Sequence, residues 1–156
     1  MTKPELLHSL NSEHRAILAT IQHFSQHDFE RAGAAGEWTA TDVFGHLAFW
    51  NWEAKKAIEQ VLRGERPAMM LLDNFDETNA REVAARRDHL RPDVMNDFRR
   101  SQKSLAALIE RTPDAELFKP TAHKSGDGKD ANAAWILGGI IEHYQEHAAA
   151  LKSVKG

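Results

Sequence analysis

The 156-residue sequence contains no cysteine. That excludes disulfides, iron–sulfur clusters, thiolate zinc sites and a cysteine nucleophile, so any thiol chemistry must use a thiol supplied from outside. An excess of charge of either sign is also lacking. Lys plus Arg total 20 and Asp plus Glu total 23, a formal net charge of −3. Without a dominant basic field, the chain is expected to bind neither nucleic acid nor a membrane surface. No apolar run approaches the roughly 20 residues of a membrane span. The longest candidate, Ala133 to Ile141, contains two glycines and stops at Glu142. The first residues, Met1-Thr2-Lys3-Pro4-Glu5, carry no apolar stretch behind their charge and do not read as a signal peptide. The expectation is a cytoplasmic protein whose residues 1–156 form a single domain.

Alternation of period two is missing as well, and what is present instead is the helical period. Leu7, Leu10, His14, Ile17, Ile21 and Phe24 advance by three or four and predict a first helix from about Pro4 to Phe29. Thr2 and Glu5 form a capping-box pattern at its start. Gly33 and Gly36 then interrupt the pattern. A second helix is predicted from Thr39, with Asp42 facing the positive end of its dipole, to near Gly64. Its stripe runs through Val43, His46, Leu47, Trp50, Ala54, Ala57, Ile58 and Val61. A long connection follows, with the apolar cluster Met69 to Leu72 and a short helix from Asp76 to Arg87. The cluster is expected to lie against the bundle or a partner chain. Pro92 opens a third main helix, closed by Pro113, and Asp130 or Asn132 caps a last one with Ile136, Ile140, His143, His147 and Leu151 on its seam. Four amphipathic helices of this length predict an all-α four-helix bundle.

The informative residues are histidines. His143 and His147 are four apart, so on a helix their rings point the same way. His23 and His27 share that spacing but lie off the apolar stripe and are expected at the surface. His46, His143 and His147 lie on stripes, where an unsatisfied imidazole nitrogen is costly. Either they share a metal ion or they are three separately hydrogen-bonded core histidines. His14 also falls on a stripe, as a fourth ligand, a supporting group or a plain core residue. Gly138 and Gly139, one turn before His143, suggest a close approach by another helix or by a ligand.

The stretch from Gly36-Glu37-Trp38-Thr39 through Asp42-Val43-Phe44-Gly45-His46 to Trp50 resembles the second-helix motif of the DinB/YfiT-like superfamily of four-helix bundles. Glu142-His143-Tyr144-Gln145-Glu146-His147-Ala148 resembles its last-helix motif. Within the superfamily, the chain is most similar to small bacterial ClbS/DfsB-like and DinB-like proteins. The resemblance implies an up-down-down-up bundle and a divalent metal on His46, His143 and His147. It also implies, for some members, transferase or isomerase chemistry with a small thiol; others are hydrolases. It makes a homodimer an expectation too.

Three neutral imidazoles leave a metal at least one open position, the arrangement of a catalytic rather than a closed structural site. Histidine ligands suit Zn, Ni, Fe or Co alike. A ligating imidazole usually donates its other N–H to an acceptor, and Asp42, one turn before His46, is a candidate. Glu53, two turns after His46, is a candidate base, and Tyr144 a candidate donor to a small-molecule substrate. Trp50 is expected in a pocket wall. The leading expectation is a metal-dependent transferase or isomerase using a small thiol. The competing ones are a non-catalytic metal-binding protein, used for stress response or self-protection, and a hydrolase using metal-bound water. A carboxylate or tyrosine at the metal would favour an enzyme, and a sealed mouth would favour the binding protein.

Overall fold

Capping chemistry places the helix starts. In the computed structural model, which describes residues 1–154, Thr2 Oγ1 accepts the Glu5 N–H while Glu5 accepts the Thr2 N–H, opening α1 (Lys3–Thr20). The same exchange between Thr39 and Asp42 opens α3 (Ala40–Leu62). Just past its end, Gly64 adopts φ +78°, the left-handed conformation that glycine supplies at a helix terminus. Asn74 caps α4 (Phe75–Ala85), Pro92 sits in the first turn of α5 (Arg91–Arg111), and Asn132 caps α7 (Ala133–Lys152). Among the described residues there are no strands, only two isolated bridges. The fold is an all-α helical bundle.

The first predicted helix is too long by nine residues. The chain leaves α1 at Thr20 and starts again in α2 (Gln26–Glu30). The cause is a third capping box: Ser25 Oγ accepts the Asp28 N–H and Asp28 accepts the Ser25 N–H. Those side chains satisfy the free amides of a new helix start, an alternative to continuing the old helix. A further short helix, α6 (Asp114–Leu117), follows Pro113.

The four long helices share one apolar cluster, with Leu10, Phe44, Leu47, Phe98, Leu105, Leu137 and Leu151 fully buried. Helix α3 packs on α5 and α7, and α1 packs on α7 and α5. Lys3 at the start of α1 donates to the carbonyls of Glu110 and Thr112 at the end of α5, so these two helices run antiparallel. Three elements are joined through a buried polar chain. The Tyr144 hydroxyl donates to Asn51 Oδ1 at 2.8 Å, Asn51 Nδ2 donates to Ser101 Oγ at 2.9 Å, and that hydroxyl donates to the Phe98 carbonyl. Each of these groups is satisfied, as burial requires.

The connection between α3 and α4 forms a 3-10 turn at Ala68–Leu71. Met69 and Leu72 pack on the main cluster, whereas Leu71 is 60% exposed. Among the described residues no helix is long and apolar enough to cross a membrane.

Candidate metal centre

A glycine-dependent turn precedes the site. Gly33 and Gly36 take φ of +112° and +57°, conformations that cost a glycine little. Gly33 and Ala34 donate to the Trp38 carbonyl, and Trp38 donates back to Ala35. The turn thereby delivers Thr39 to its capping position and Trp38 to the ring of His46, 4.9 Å between centroids.

His46 on α3 is 4% exposed; His143 and His147 on α7 are half-buried. His46 Nε2 lies 2.8 Å from His143 Nε2, which lies 3.1 Å from His147 Nε2. All three potential ligand atoms fall within 4.8 Å of one another. Two nitrogens on a tetrahedral ion with bonds near 2.0–2.1 Å stand about 3.3 Å apart, so the observed spacing fits a shared ion after small adjustments. Three mutually facing nitrogens satisfy one another poorly without an ion, because a proton can bridge only one pair at a time. Burial, followed by the neighbouring imidazoles His143 and His147, pushes His46 down to about 3. Burial and then His147 push His143 to about 4, and burial lowers His147. At neutral pH the rings are therefore uncharged, the form that ligates metal.

Beside the triad lies an open cavity of about 280 Å³, lined by His46 and His143. Helix α3 contributes Trp50 and Ala54 to it, and α7 contributes Trp135, Ile136, Gly139 and Ile140. Met69, Phe75 and Asn79 reach it from the connection and α4. Trp50 donates its indole N–H to Asn79 Oδ1 at 2.7 Å.

Trp50 thus stands in the wall where the sequence put it. Other candidates stand elsewhere. Asp42 does not support His46: one carboxylate oxygen accepts the Thr39 N–H and the other pairs with Arg87 at 3.3 Å. His46 Nδ1 is left buried with no hydrogen-bond partner. Glu53 pairs with Lys56 at 3.1 Å and is not among the cavity's lining residues. Tyr144 is fully buried, its hydroxyl raised by burial and committed to Asn51. His14 stacks on Phe98 at 4.9 Å outside the triad; burial, then Arg99 and Arg15, lower it to about 4. Among the described residues, a Cβ on Gly138 or Gly139 meets no atom within 4 Å, so neither glycine makes room there for a neighbouring helix. His23 and His27 are exposed. Sequence reasoning missed Asn79 and Phe75. Their spacing of four on a helix, an aromatic with an amide on one face, was the available signal.

The family model for the mycothiol maleylpyruvate isomerase N-terminal domain matches residues 10–144. The chain belongs to that family. Its fold is DinB/YfiT-like, and solved structures agree. The crystal structure of a mycothiol-dependent maleylpyruvate isomerase superposes with a TM-score of 0.80 at 15% identity, over 97% of this chain. The chain spans only 61% of that isomerase. The colibactin self-resistance protein ClbS, in complex with double-stranded DNA, gives a TM-score of 0.80 at 17% identity, covering 99% of this chain and 95% of its own. A protein from Streptococcus pneumoniae gives 0.75 at 14% identity, covering 98% and 90% respectively. A search of curated proteins finds no match. At these identities the structural likeness establishes the fold alone.

Proposed function

We propose that this protein is a divalent-metal-dependent transferase or isomerase that uses a small thiol, with the metal on His46, His143 and His147. The observation that carries the reading is the convergence of three neutral imidazole nitrogens from α3 and α7 beside an open cavity. Held by His46, His143 and His147, a divalent metal would supply Lewis acidity and would favour the thiolate form of a small thiol. Support for the thiol comes from the isomerase likeness. Among the described residues the cavity walls hold no carboxylate or tyrosine, the groups that would have favoured an enzyme, so an external thiol would have to bring the reacting group. The open cavity also counts against a sealed storage site. His46 and His143 hold the reacting end of the site, Trp38 fixes the His46 ring from one side, and Trp50 walls the cavity.

Elemental analysis of untagged protein, then titration with Zn, Ni, Fe or Co, tests the metal; one ion per chain is expected. Ultraviolet absorbance of maleylacetone, a monocarboxylate with a cis double bond, mixed with mycothiol or glutathione tests the chemistry. Turnover that needs both thiol and metal supports the reading, and turnover by metal-free protein overturns it.

Nucleic-acid binding is tested apart, since one structural neighbour is a DNA complex. Arg86 and Arg87 are already paired with Glu82 and Asp42. No polarisation change of a labelled duplex is expected at about 0.15 M salt, where exposed charge is screened over about 8 Å.

A further inference from the structure

The walls of the cavity select against charge. Among the described residues, none that lines it is Lys, Arg, Asp or Glu. Away from the histidines, Asn79 is its only side chain with an oxygen acceptor, and that oxygen already accepts from Trp50. Because the indole N–H only donates, it fixes which end of the Asn79 amide is oxygen. The cavity keeps at most the NH2 donors of Asn79, and the indole of Trp50 presents only its ring. Phe75 and Trp135 are 48% and 39% exposed, two of the few large apolar side chains left in water, and both line this cavity. Aromatic rings left wet beside a polar anchor are the usual composition of a ligand pocket. The volume of about 280 Å³ suits a small molecule. Gly139 enlarges it, since a Cβ there meets no atom within 4 Å. A helical glycine is less favourable than Ala, and at Gly139 no close contact at the Cβ position accounts for it.

We propose that this cavity binds the substrate's uncharged apolar or aromatic body, with one metal-ligating head group at the histidines and no second charge. The inference rests on the metal reading only for that head group. A second carboxylate or ammonium would be partly desolvated against Trp50, Phe75, Trp135 and Ile136 with no counter-ion on the walls, which opposes binding. An aromatic body instead exchanges water for ring faces.

The test uses three hydroxamates with the same metal-binding head: acetohydroxamate, benzohydroxamate and 4-carboxybenzohydroxamate. Each is titrated into zinc-loaded and metal-free protein, followed by tryptophan fluorescence. Benzohydroxamate should bind zinc-loaded protein at least tenfold more tightly than either of the others. If 4-carboxybenzohydroxamate binds as tightly as benzohydroxamate, or neither form binds benzohydroxamate, the inference is overturned. If the same ranking holds with equal affinities in both forms, the cavity inference stands and the metal reading falls. Gly139→Leu places a side chain in the cavity without replacing a ligand residue; because it stands one turn before His143, its zinc content is measured alongside. It should keep its zinc and lose at least tenfold in benzohydroxamate affinity; unchanged affinity puts the ligand elsewhere and overturns the inference.

Discussion

His23 and His27 are four residues apart, as are His143 and His147, yet the two pairs end in opposite environments. The chain leaves α1 at Thr20, before His23, and caps α2 at Ser25, before His27, so the spacing no longer sets the direction of the rings. Both residues face water. His143 and His147 stand on one uninterrupted helix, with ring centroids 4.7 Å apart and His46 facing them from α3. A spacing of four therefore points to a shared ligand only when a continuous helix carries it and a third group meets it from another element. The second condition is a matter of packing.

The sharpest way to break this comparison is to remove one histidine from each region. Zinc at about 100 times its dissociation constant should stabilise the wild type by about 2.7 kcal/mol. His46→Ala or His147→Ala should lose both the zinc and that gain, whereas His27→Ala should keep both. Stoichiometric zinc in His46→Ala and His147→Ala would place the ion elsewhere.

A second pairing sets the buried hydrogen bond of Tyr144 against the exposed one of its neighbour Gln145, which donates to Glu13. Tyr144→Phe leaves the buried Asn51 oxygen without its donor and should cost about 1–3 kcal/mol. Zinc affinity should fall with it, because this bond holds α7 against α3 beside His143. Gln145→Ala should stay within about 0.5 kcal/mol. Equal losses in urea melts of the two variants would remove the argument.

Acid sharpens the contrast between buried and unfolded imidazoles. An unfolded histidine titrates near 6.5, whereas in the fold His46 is held near 3 and His143 and His14 near 4. Below about pH 6.5 the unfolded chain binds more protons than the folded one. Stability of the metal-free protein is therefore full above that pH and declines as pH falls towards 4. Urea midpoints that stay level from pH 7 to pH 5 would contradict this.

The smallest effect contrasts two helical glycines. Gly138→Ala meets open space and should stabilise by about 0.5–1 kcal/mol. A Cβ at Gly45 stands 3.2 Å from Arg86 Cδ, so Gly45→Ala forces that side chain to move and should gain less. Thermal melts of the two variants measure the difference.

Much of this protein is legible without coordinates. The helix starts at Thr2, Thr39, Pro92 and Asn132 are local chemistry, and the stripes through His46, His143 and His147 follow from the helical period. The break at Ser25 was equally local, visible as Ser25 and Asp28, and was outweighed by apolar spacing that continued to Phe24. Packing alone decided the rest. Whether Asp42 supports His46 depends on Arg87 and the Thr39 amide, which already hold its oxygens. Whether Tyr144 faces substrate depends on Asn51, 93 residues away in sequence. The cavity joins α3, α4, α7 and the connecting turn. The sequence by itself determined where most of the helices begin and which histidines lie on apolar stripes, because propensity, capping and periodicity act over a few residues. Tertiary structure decided which of those residues meet and which oxygens are already taken, because a hydrogen bond or a metal ligand set is settled by the nearest partner in space.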